Sequence, residues 1–159
     1  MQAIDAIYHQ HAPAVFRFAV GLCGDAHLAR DLVAETFIRA MLSSTPIGME
    51  TVRAYLCMIA RRLYLKEWHR HRRHTELEDV HADGAAGPEQ LAIGSQSLAR
   101  TLAALQDLPE VDRTALLMRA DDAVPYEDIA RALDISLSSA KVKVFRARLK
   151  LTQLLEEKP

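Results

Sequence analysis

Five cations lie close together near the end of the chain. Residues 141–150 contain Lys141, Lys143, Arg146, Arg148 and Lys150 and neither Asp nor Glu. Lys and Arg side chains neutralise phosphates, and a carboxylate among them would be repelled by the same phosphates. The lack of acids in this block therefore indicates a surface that binds a polyanion. On charge alone, a solvated Lys/Arg face on a terminal helix is the competing interpretation.

A second basic block lies earlier in the chain. Residues 53–74 carry seven Lys/Arg against one acid, and Tyr64 and Trp68 are interleaved with the cations. Cations follow a phosphate backbone, while aromatic faces stack on unpaired bases, which is the combination that single-strand binders use. Either aromatic could equally belong to a core. The net charge of −1 does not argue against two polyanion contacts, because binding depends on local patches.

Other kinds of site are not indicated. Cys23 and Cys57 have no metal-type spacing and are expected to be reduced thiols. His69, His71 and His74 resemble a metal cluster, but no further ligand is spaced to complete it. Without a glycine-rich phosphate loop or paired carboxylates, we expect no cofactor, no metal and no enzymatic activity. No apolar run reaches the ~20 residues of a membrane span. With no secretory signal pattern either, we expect a cytoplasmic chain without membrane contact of its own.

The pattern of apolar residues predicts an all-α fold. The predicted helices cover residues 2–22 (kinked or broken at Pro13), 26–42, 51–74, 96–108, 109–121, 126–133 and 137–155. Asp25 is the expected N-cap of the second helix. Residues 75–94 are acidic and rich in Gly and Ala, which predicts a flexible linker between two small helical domains.

Residues 124–151 fit a helix-turn-helix. Ile129, Ala130 and Leu133 face inward on the first helix, and Ile135 fills the turn. The second helix has its core face at Ala140, Val144, Ala147 and Leu151. The residues left facing outward are Ser138, Ser139, Lys141, Val142, Lys143, Phe145, Arg146 and Arg148. In such units the second helix enters the major groove of DNA.

Three segments resemble one family. DLPEVDRTALLMRADDAVPYEDIARALDISLSSAKVKVFRARLKL resembles domain four of bacterial sigma factors of the extracytoplasmic-function (ECF) group. GDAHLARDLVAETFIRAM resembles the core-binding helix of domain two in that group, and RAYLCMIARRLYLKEWHRHRRH resembles the promoter-melting helix. The resemblance implies sigma domain two at residues 1–75, a linker at 76–94, and sigma domain four with the helix-turn-helix at 95–159.

That resemblance implies a transcription initiation factor whose partners are RNA polymerase core enzyme and promoter DNA. Anti-sigma factors are common partners in the group, although nothing in the sequence identifies one. The outward set of the recognition helix would contact the minus-thirty-five element. The minus-ten element would be captured by Arg61, Arg62, Tyr64, Lys66, Trp68, Arg70, Arg72 and Arg73. Arg62 and Lys66 depart from the Asn and Asp of many members, which makes this region more basic.

The resemblance also implies a polymerase-binding surface. It would be formed by Asp31, Leu32, Val33, Glu35, Thr36, Phe37 and Arg39. Within this set, Asp31, Glu35 and Arg39 are spaced as one mixed-charge ridge, which suits a polar-rimmed interface. Taken alone, the ridge is better explained by ordinary stabilisation between residues four apart on a helix. The rival to the whole interpretation is a stand-alone helix-turn-helix repressor or activator, and a helical adaptor that binds an acidic protein is a third.

Overall fold

The computed structural model describes residues 2–43, 51–78, 96–120 and 124–157. In this part of the chain there are seven α-helices and no strand, which confirms the predicted all-α fold. They are α1 (Gln2–Cys23), α2 (Ala26–Leu42), α3 (Val52–Glu78), α4 (Gln96–Gln106), α5 (Glu110–Arg119), α6 (Tyr126–Leu133) and α7 (Leu137–Glu157). None of the described helices is long and apolar enough to cross a bilayer.

Helix ends follow the sequence signals closely. The Asp25 carboxylate accepts hydrogen bonds from the backbone N–H groups of His27 (2.8 Å) and Leu28 (3.3 Å), so the predicted N-cap of α2 is confirmed. No break occurs at Pro13, which lies inside α1. Pro13 is exposed, so water can reach the carbonyl that loses its hydrogen-bond partner one turn earlier. Helix α3 ends at Glu78, three residues into the predicted linker, and residues 79–94 lie outside the described part.

The first three helices pack into one bundle. Val15, Phe18 and Leu22 of α1 are buried against the apolar side of α2 and against Leu56 of α3. Helices α4 to α7 form a second bundle, in which α5 and α7 make the most extensive contact. Burial of these side chains is the main favourable contribution to the fold, at roughly 1.5–3 kcal/mol for each large aliphatic side chain.

The two bundles also pack against each other. Ile129 of α6 and Met118 of α5 belong to the same buried cluster as Val15 and Leu56. Gly21 permits close approach, because a Cβ atom there would lie 2.7 Å from Cδ2 of Leu117 on α5. The sequence predicted two domains on a linker, and the structure adds an extensive contact between them.

A small cavity lies within this contact. It has a volume of about 170 Å³ and is lined from both bundles, with Cys57 on one side and Leu117 and Met118 on the other. Cys57 is buried, and this burial raises the pKa of its thiol to about 12. Burial also raises the pKa of Cys23, to about 11. Both cysteines are free thiols, as predicted.

Candidate nucleic-acid interface

Helices α6 and α7 form the helix-turn-helix. Helix α6 ends at Leu133, and its C-cap residue Asp134 has a φ of 55° and a ψ of 50°, which place it in the left-handed region. The turn is closed by the backbone N–H of Ile135, which donates to the carbonyl oxygen of Ala130 at 3.0 Å. Ile135 is half-buried against the core, and the Ser136 hydroxyl accepts a hydrogen bond from the backbone N–H of Ser139 (3.1 Å). A left-handed residue and a serine cap thus fix the angle at which α7 leaves the turn.

The two faces of α7 differ as the sequence predicted. Ala140, Val144 and Ala147 are at most 1% exposed, whereas Val142 and Phe145 are 55% and 65% exposed. Ser138, Lys141, Arg146 and Arg148 are exposed too, while Ser139 and Lys143 are half-buried. The structure therefore brings the predicted minus-thirty-five residues together on one cationic face that also carries two apolar side chains.

Two cations of this face are paired with a buried acid. The Asp112 carboxylate on α5 accepts hydrogen bonds from Nε (3.1 Å) and Nη2 (3.3 Å) of Arg146. Lys143 Nζ lies 3.5 Å from the same carboxylate. Asp112 is 4% exposed. Its hydrogen bonds and its charge raise the pKa of Arg146.

The second half of α3 presents the other basic surface. Arg62, Lys66, Arg70 and Arg73 are exposed, and Trp68 is 43% exposed. The guanidinium of Arg72 lies 5.3 Å from the centre of the Trp68 ring, within cation–π range. Exposed cations and the partly exposed ring of Trp68 therefore lie together on this part of α3.

Arg61 and Tyr64 lie elsewhere, in the contact between the bundles. Arg61 makes two hydrogen bonds of 2.8 Å to the carboxylate of Glu110 on α5. Tyr64 is 8% exposed, and its hydroxyl accepts a hydrogen bond from Nη2 of Arg113 (3.2 Å). Burial raises the pKa of Tyr64. Burial acts to raise the pKa of Glu110 as well, but hydrogen bonds from Arg61 and Thr114 outweigh it and leave that pKa lowered.

A further polar contact joins the start of α3 to α6. The Asp128 carboxylate accepts hydrogen bonds from the backbone N–H (3.0 Å) and the hydroxyl (3.1 Å) of Thr51. The Thr51 hydroxyl also accepts from the backbone N–H of Ala54 (3.1 Å). Asp128 is fully buried and pairs with Arg131 at 3.1 Å. The acid of one bundle therefore supports the N-terminus of a helix in the other.

The predicted polymerase-binding set divides by exposure. Asp31 and Arg39 are exposed and Glu35 is half-exposed, with Arg39 donating a 3.1 Å hydrogen bond to Glu35. The four remaining members, Leu32, Val33, Thr36 and Phe37, are at most 8% exposed. A groove of about 390 Å³ beside the ridge separates α2 from the basic half of α3, with Lys66 and Arg70 on its far side. In this arrangement the ridge is accessible, and the four buried residues support it from beneath.

The structure assigns partners that sequence analysis did not single out. Glu110, Asp112 and Asp128 each bind a cation or a helix N-terminus at least partly out of water. A signal for two of them existed: Asp112 shares a helical stripe with Ala115, and Asp128 shares one with Ala132. An acid on an apolar stripe indicates a buried partner, although not which one. Within the described residues, no cluster of three or more potential ligands could hold a metal ion.

Comparison with known proteins decides the family. Residues 7–74 match the family model of Sigma-70 region 2, and residues 98–151 match that of Sigma-70, region 4. The chain is 34% identical to the ECF RNA polymerase sigma factor EcfG of Rhodopseudomonas palustris, over 90% of this chain and 80% of EcfG. The chain belongs to the ECF sigma factors. It is also 28% identical to SigM of Bacillus subtilis, over 95% of this chain and 94% of SigM.

Other relatives extend this result. SigE of Mycolicibacterium smegmatis is 31% identical over 98% of this chain, which spans only 62% of SigE. Among solved structures, the sigma factor RpoE bound to the anti-sigma factor NepR from Bartonella quintana matches with a TM-score of 0.80 over 100% of both chains, at 24% identity. CnrH in complex with the cytosolic domain of CnrY matches with a TM-score of 0.71 over 99% of this chain and 90% of CnrH, at 22% identity. These two structures share the fold of this chain.

Family membership confirms the resemblance seen in the sequence. An ECF sigma factor is a transcription initiation factor that directs RNA polymerase to promoters, and both sigma regions are present here in the predicted order. The stand-alone repressor or activator is not favoured, because it leaves the region 2 match without a role.

Proposed function

We propose that α7 of this ECF sigma factor reads the minus-thirty-five element in the major groove, and that α3 captures the melted minus-ten element. The observation that carries the proposal is the two-sided character of α7, with small buried residues behind and exposed cations and apolar side chains in front. A helix of this kind, entered through a tight turn, has the geometry by which helix-turn-helix proteins dock on DNA.

Roles within α7 follow from side-chain chemistry. Lys141 and Arg146 would donate to base edges, because Arg makes a bidentate contact with guanine, and Val142 and Phe145 would meet thymine methyl groups. Ser138, Ser139, Lys143 and Arg148 would contact phosphates, which fix the position of the helix on the duplex.

On α3, the exposed ring of Trp68 would stack on an unpaired base while Arg62, Lys66, Arg70, Arg72 and Arg73 follow the phosphates. Extruding a base costs a few kcal/mol, so a site that holds the extruded base must compensate for that cost. Arg61 and Tyr64 would join this site only after release from Glu110 and Arg113.

Release of that kind is required by the dimensions of a promoter. Elements centred near positions −35 and −10 are separated by about 25 base pairs, or roughly 85 Å at ~3.4 Å per base pair. A compact chain of this length has a radius of gyration of about 15 Å and cannot reach both. We infer that residues 1–75 and 95–159 act as separate domains on the promoter, joined by residues 76–94.

The polymerase-binding role goes to the ridge of Asp31, Glu35 and Arg39, which is accessible and of mixed charge. Tethering two weak DNA contacts through the polymerase makes the second contact intramolecular, so neither domain needs high affinity alone. An anti-sigma factor is a further proposed partner, since RpoE and CnrH were solved as complexes with NepR and CnrY. A protein that works with RNA polymerase and promoter DNA works in the cytoplasm.

The proposal is tested by run-off transcription with core enzyme plus this protein, followed by mapping of the transcript starts. The expected result is initiation at discrete sites that share sequence near −35 and −10. In a native gel the protein should co-migrate with core enzyme and bind the mapped promoter poorly alone. Tight, polymerase-independent binding as a dimer would instead support the stand-alone regulator, and DNA binding without steep salt dependence would support the adaptor.

A further inference from the structure

Asp112 lies directly behind the cationic face of α7, on the neighbouring helix α5. Its carboxylate binds Arg146 through two hydrogen bonds of 3.1 and 3.3 Å and has Lys143 Nζ at 3.5 Å. The carboxylate is almost fully buried, while the Arg146 side chain is 57% exposed. The cationic face of α7 contains no acid of its own, but two of its cations are paired with an acid on the neighbouring helix.

The pairing leaves Arg146 able to contact a base. A guanidinium has five N–H donors in a rigid plane, and Asp112 uses Nε–H and one hydrogen of Nη2. Three donors remain, and they include both hydrogens of Nη1. Two parallel donors are enough for the bidentate contact with guanine. The carboxylate thus fixes the guanidinium plane without occupying the edge that reads the base.

The pairing also lowers the local charge. Lys143 and Arg146 are one helical turn apart, and Asp112 reduces their joint charge from two to one. Attraction to phosphates is independent of sequence and grows with the number of cations, whereas a fixed donor geometry discriminates among bases. An acid at this position therefore weakens the sequence-independent attraction of α7 to phosphates, and it also holds the Arg146 guanidinium in a fixed orientation.

We propose that Asp112 is a positioning residue for promoter recognition: it orients Arg146 for base reading and restrains Lys143, so that α7 binds more selectively and less tightly to arbitrary DNA. This inference rests on the proposed role of α7 at the minus-thirty-five element. A purely structural Asp112, joining α5 to α7, would stabilise the fold and affect all DNA sequences equally.

The test uses holoenzyme assembled from core enzyme and full-length protein. The probes are a promoter fragment mapped by run-off transcription and the same fragment with a shuffled minus-thirty-five element. The measured quantities are the ratio of the two affinities and the slope of log affinity against log salt. Asp112→Asn keeps the shape and removes the charge. We expect the ratio to fall about five- to tenfold, within the range that one bidentate base contact commands. Affinity for the shuffled fragment should rise, and the salt slope should steepen by roughly one.

Controls separate the alternatives. Glu127→Gln removes an exposed acid of α6 and should leave the ratio unchanged. In an Arg146→Ala background, Asp112→Asn should no longer change the ratio, because the residue that it orients is gone. Arg146→Lys keeps the charge but not the planar fork, and should lower the ratio at a nearly constant salt slope even if Asp112→Asn folds poorly.

Two results would overturn the inference. One is an unchanged ratio in Asp112→Asn. The other is an equal loss of affinity for both fragments together with a lower unfolding temperature, which is the behaviour of a structural residue. If Arg146→Ala itself leaves the ratio unchanged, the assignment of α7 to the minus-thirty-five element fails, and it fails independently of Asp112.

Discussion

Individual side chains on α7 should have separable effects on DNA binding. Arg146→Ala removes a base-edge contact and should cost roughly 1–3 kcal/mol on the preferred promoter while relaxing its sequence preference. Lys143→Ala removes a phosphate contact and should weaken binding to all sequences by a similar factor. Holoenzyme binding to promoter fragments with single-base changes in the minus-thirty-five element measures the difference. Equal flattening of sequence preference by both variants would contradict this division of roles.

Glu110 should make the contact between the bundles sensitive to acid. Its pKa in the folded protein is lowered, so the unfolded chain takes up a proton first as the pH falls. The stability that Glu110 contributes is therefore complete above its ordinary pKa of 4.5 and is lost as the pH falls through the lower folded value. Glu110→Gln should lower stability by about 1–2 kcal/mol at pH 7, and the difference from the original protein should shrink below pH 4.

Thermal unfolding across the pH range measures this dependence. Glu35→Gln is the matched control, because Glu35 also pairs with an arginine but both members of that pair, Glu35 and Arg39, are about half exposed. Exposed pairs of this kind contribute little, so the control should change stability by less than about 0.5 kcal/mol. A Glu110→Gln variant that keeps the full acid sensitivity would show that other carboxylates cause it.

Most of what happens at the residue scale was not predictable from the sequence. The cationic and apolar face of α7 follows from helical spacing alone, and it is found as predicted. The partners of the cations on this face cannot be predicted from helical spacing, because Asp112 and Arg146 are 34 residues apart in the sequence. The same holds for Arg61 and Glu110 at 49 residues and for Thr51 and Asp128 at 77. Such pairs depend on the crossing of helices, which periodicity does not encode.

Among the helices, the sharp turn between α6 and α7 depends on one unusual backbone conformation. Asp134 adopts a φ of 55°. At this φ the Cβ atom of most residues clashes with the backbone, whereas glycine has no Cβ atom and is not strained. Asp134→Gly should therefore stabilise the protein by about 0.5 kcal/mol, and Asp134→Val should destabilise it by about 1 kcal/mol or more. Chemical denaturation measures both, with Asp134→Asn as a control expected to behave like the original residue. A stabilising Asp134→Val would mean that the turn relaxes to another conformation.

The positions of the helices were predictable with small errors. Caps and periodicity located α2, α6 and α7 to within a few residues, because these signals are local. The clearest differences are the continuity of α1 through Pro13, where a break was one expectation, and the end of α3 at Glu78 instead of near residue 74. Because Pro13 is exposed, water can reach the carbonyl four residues earlier, which loses its helical hydrogen bond. Helix α3 extends further than predicted because the Glu and Leu residues that follow His74 are strong helix formers.

For the whole molecule, the main structural result is that the two bundles share one buried cluster. Gly21 is the position at which the close packing can be tested. Gly21→Leu would insert a side chain where even a Cβ atom lies 2.7 Å from Leu117, and should force the bundles apart. Small-angle scattering should show a larger radius of gyration than the ~15 Å of a compact chain. Adding Leu117→Ala should restore part of the compactness, and failure of Gly21→Leu to expand the chain would show that α5 can shift to accommodate it.

Because Cys57 lines the cavity between the two bundles, the reactivity of its thiol can report their separation. Thiol reagents attack the thiolate, and because burial raises the pKa of Cys57 to about 12, almost none of this thiol is ionised at pH 7. Separation of the bundles would bring this sulfur into water and restore an ordinary pKa near 8.5, so its labelling rate should rise by orders of magnitude. With Cys23→Ser leaving a single thiol, the rate of dye incorporation would report how often the two bundles separate, and it can be compared between the free protein and the protein bound to core enzyme.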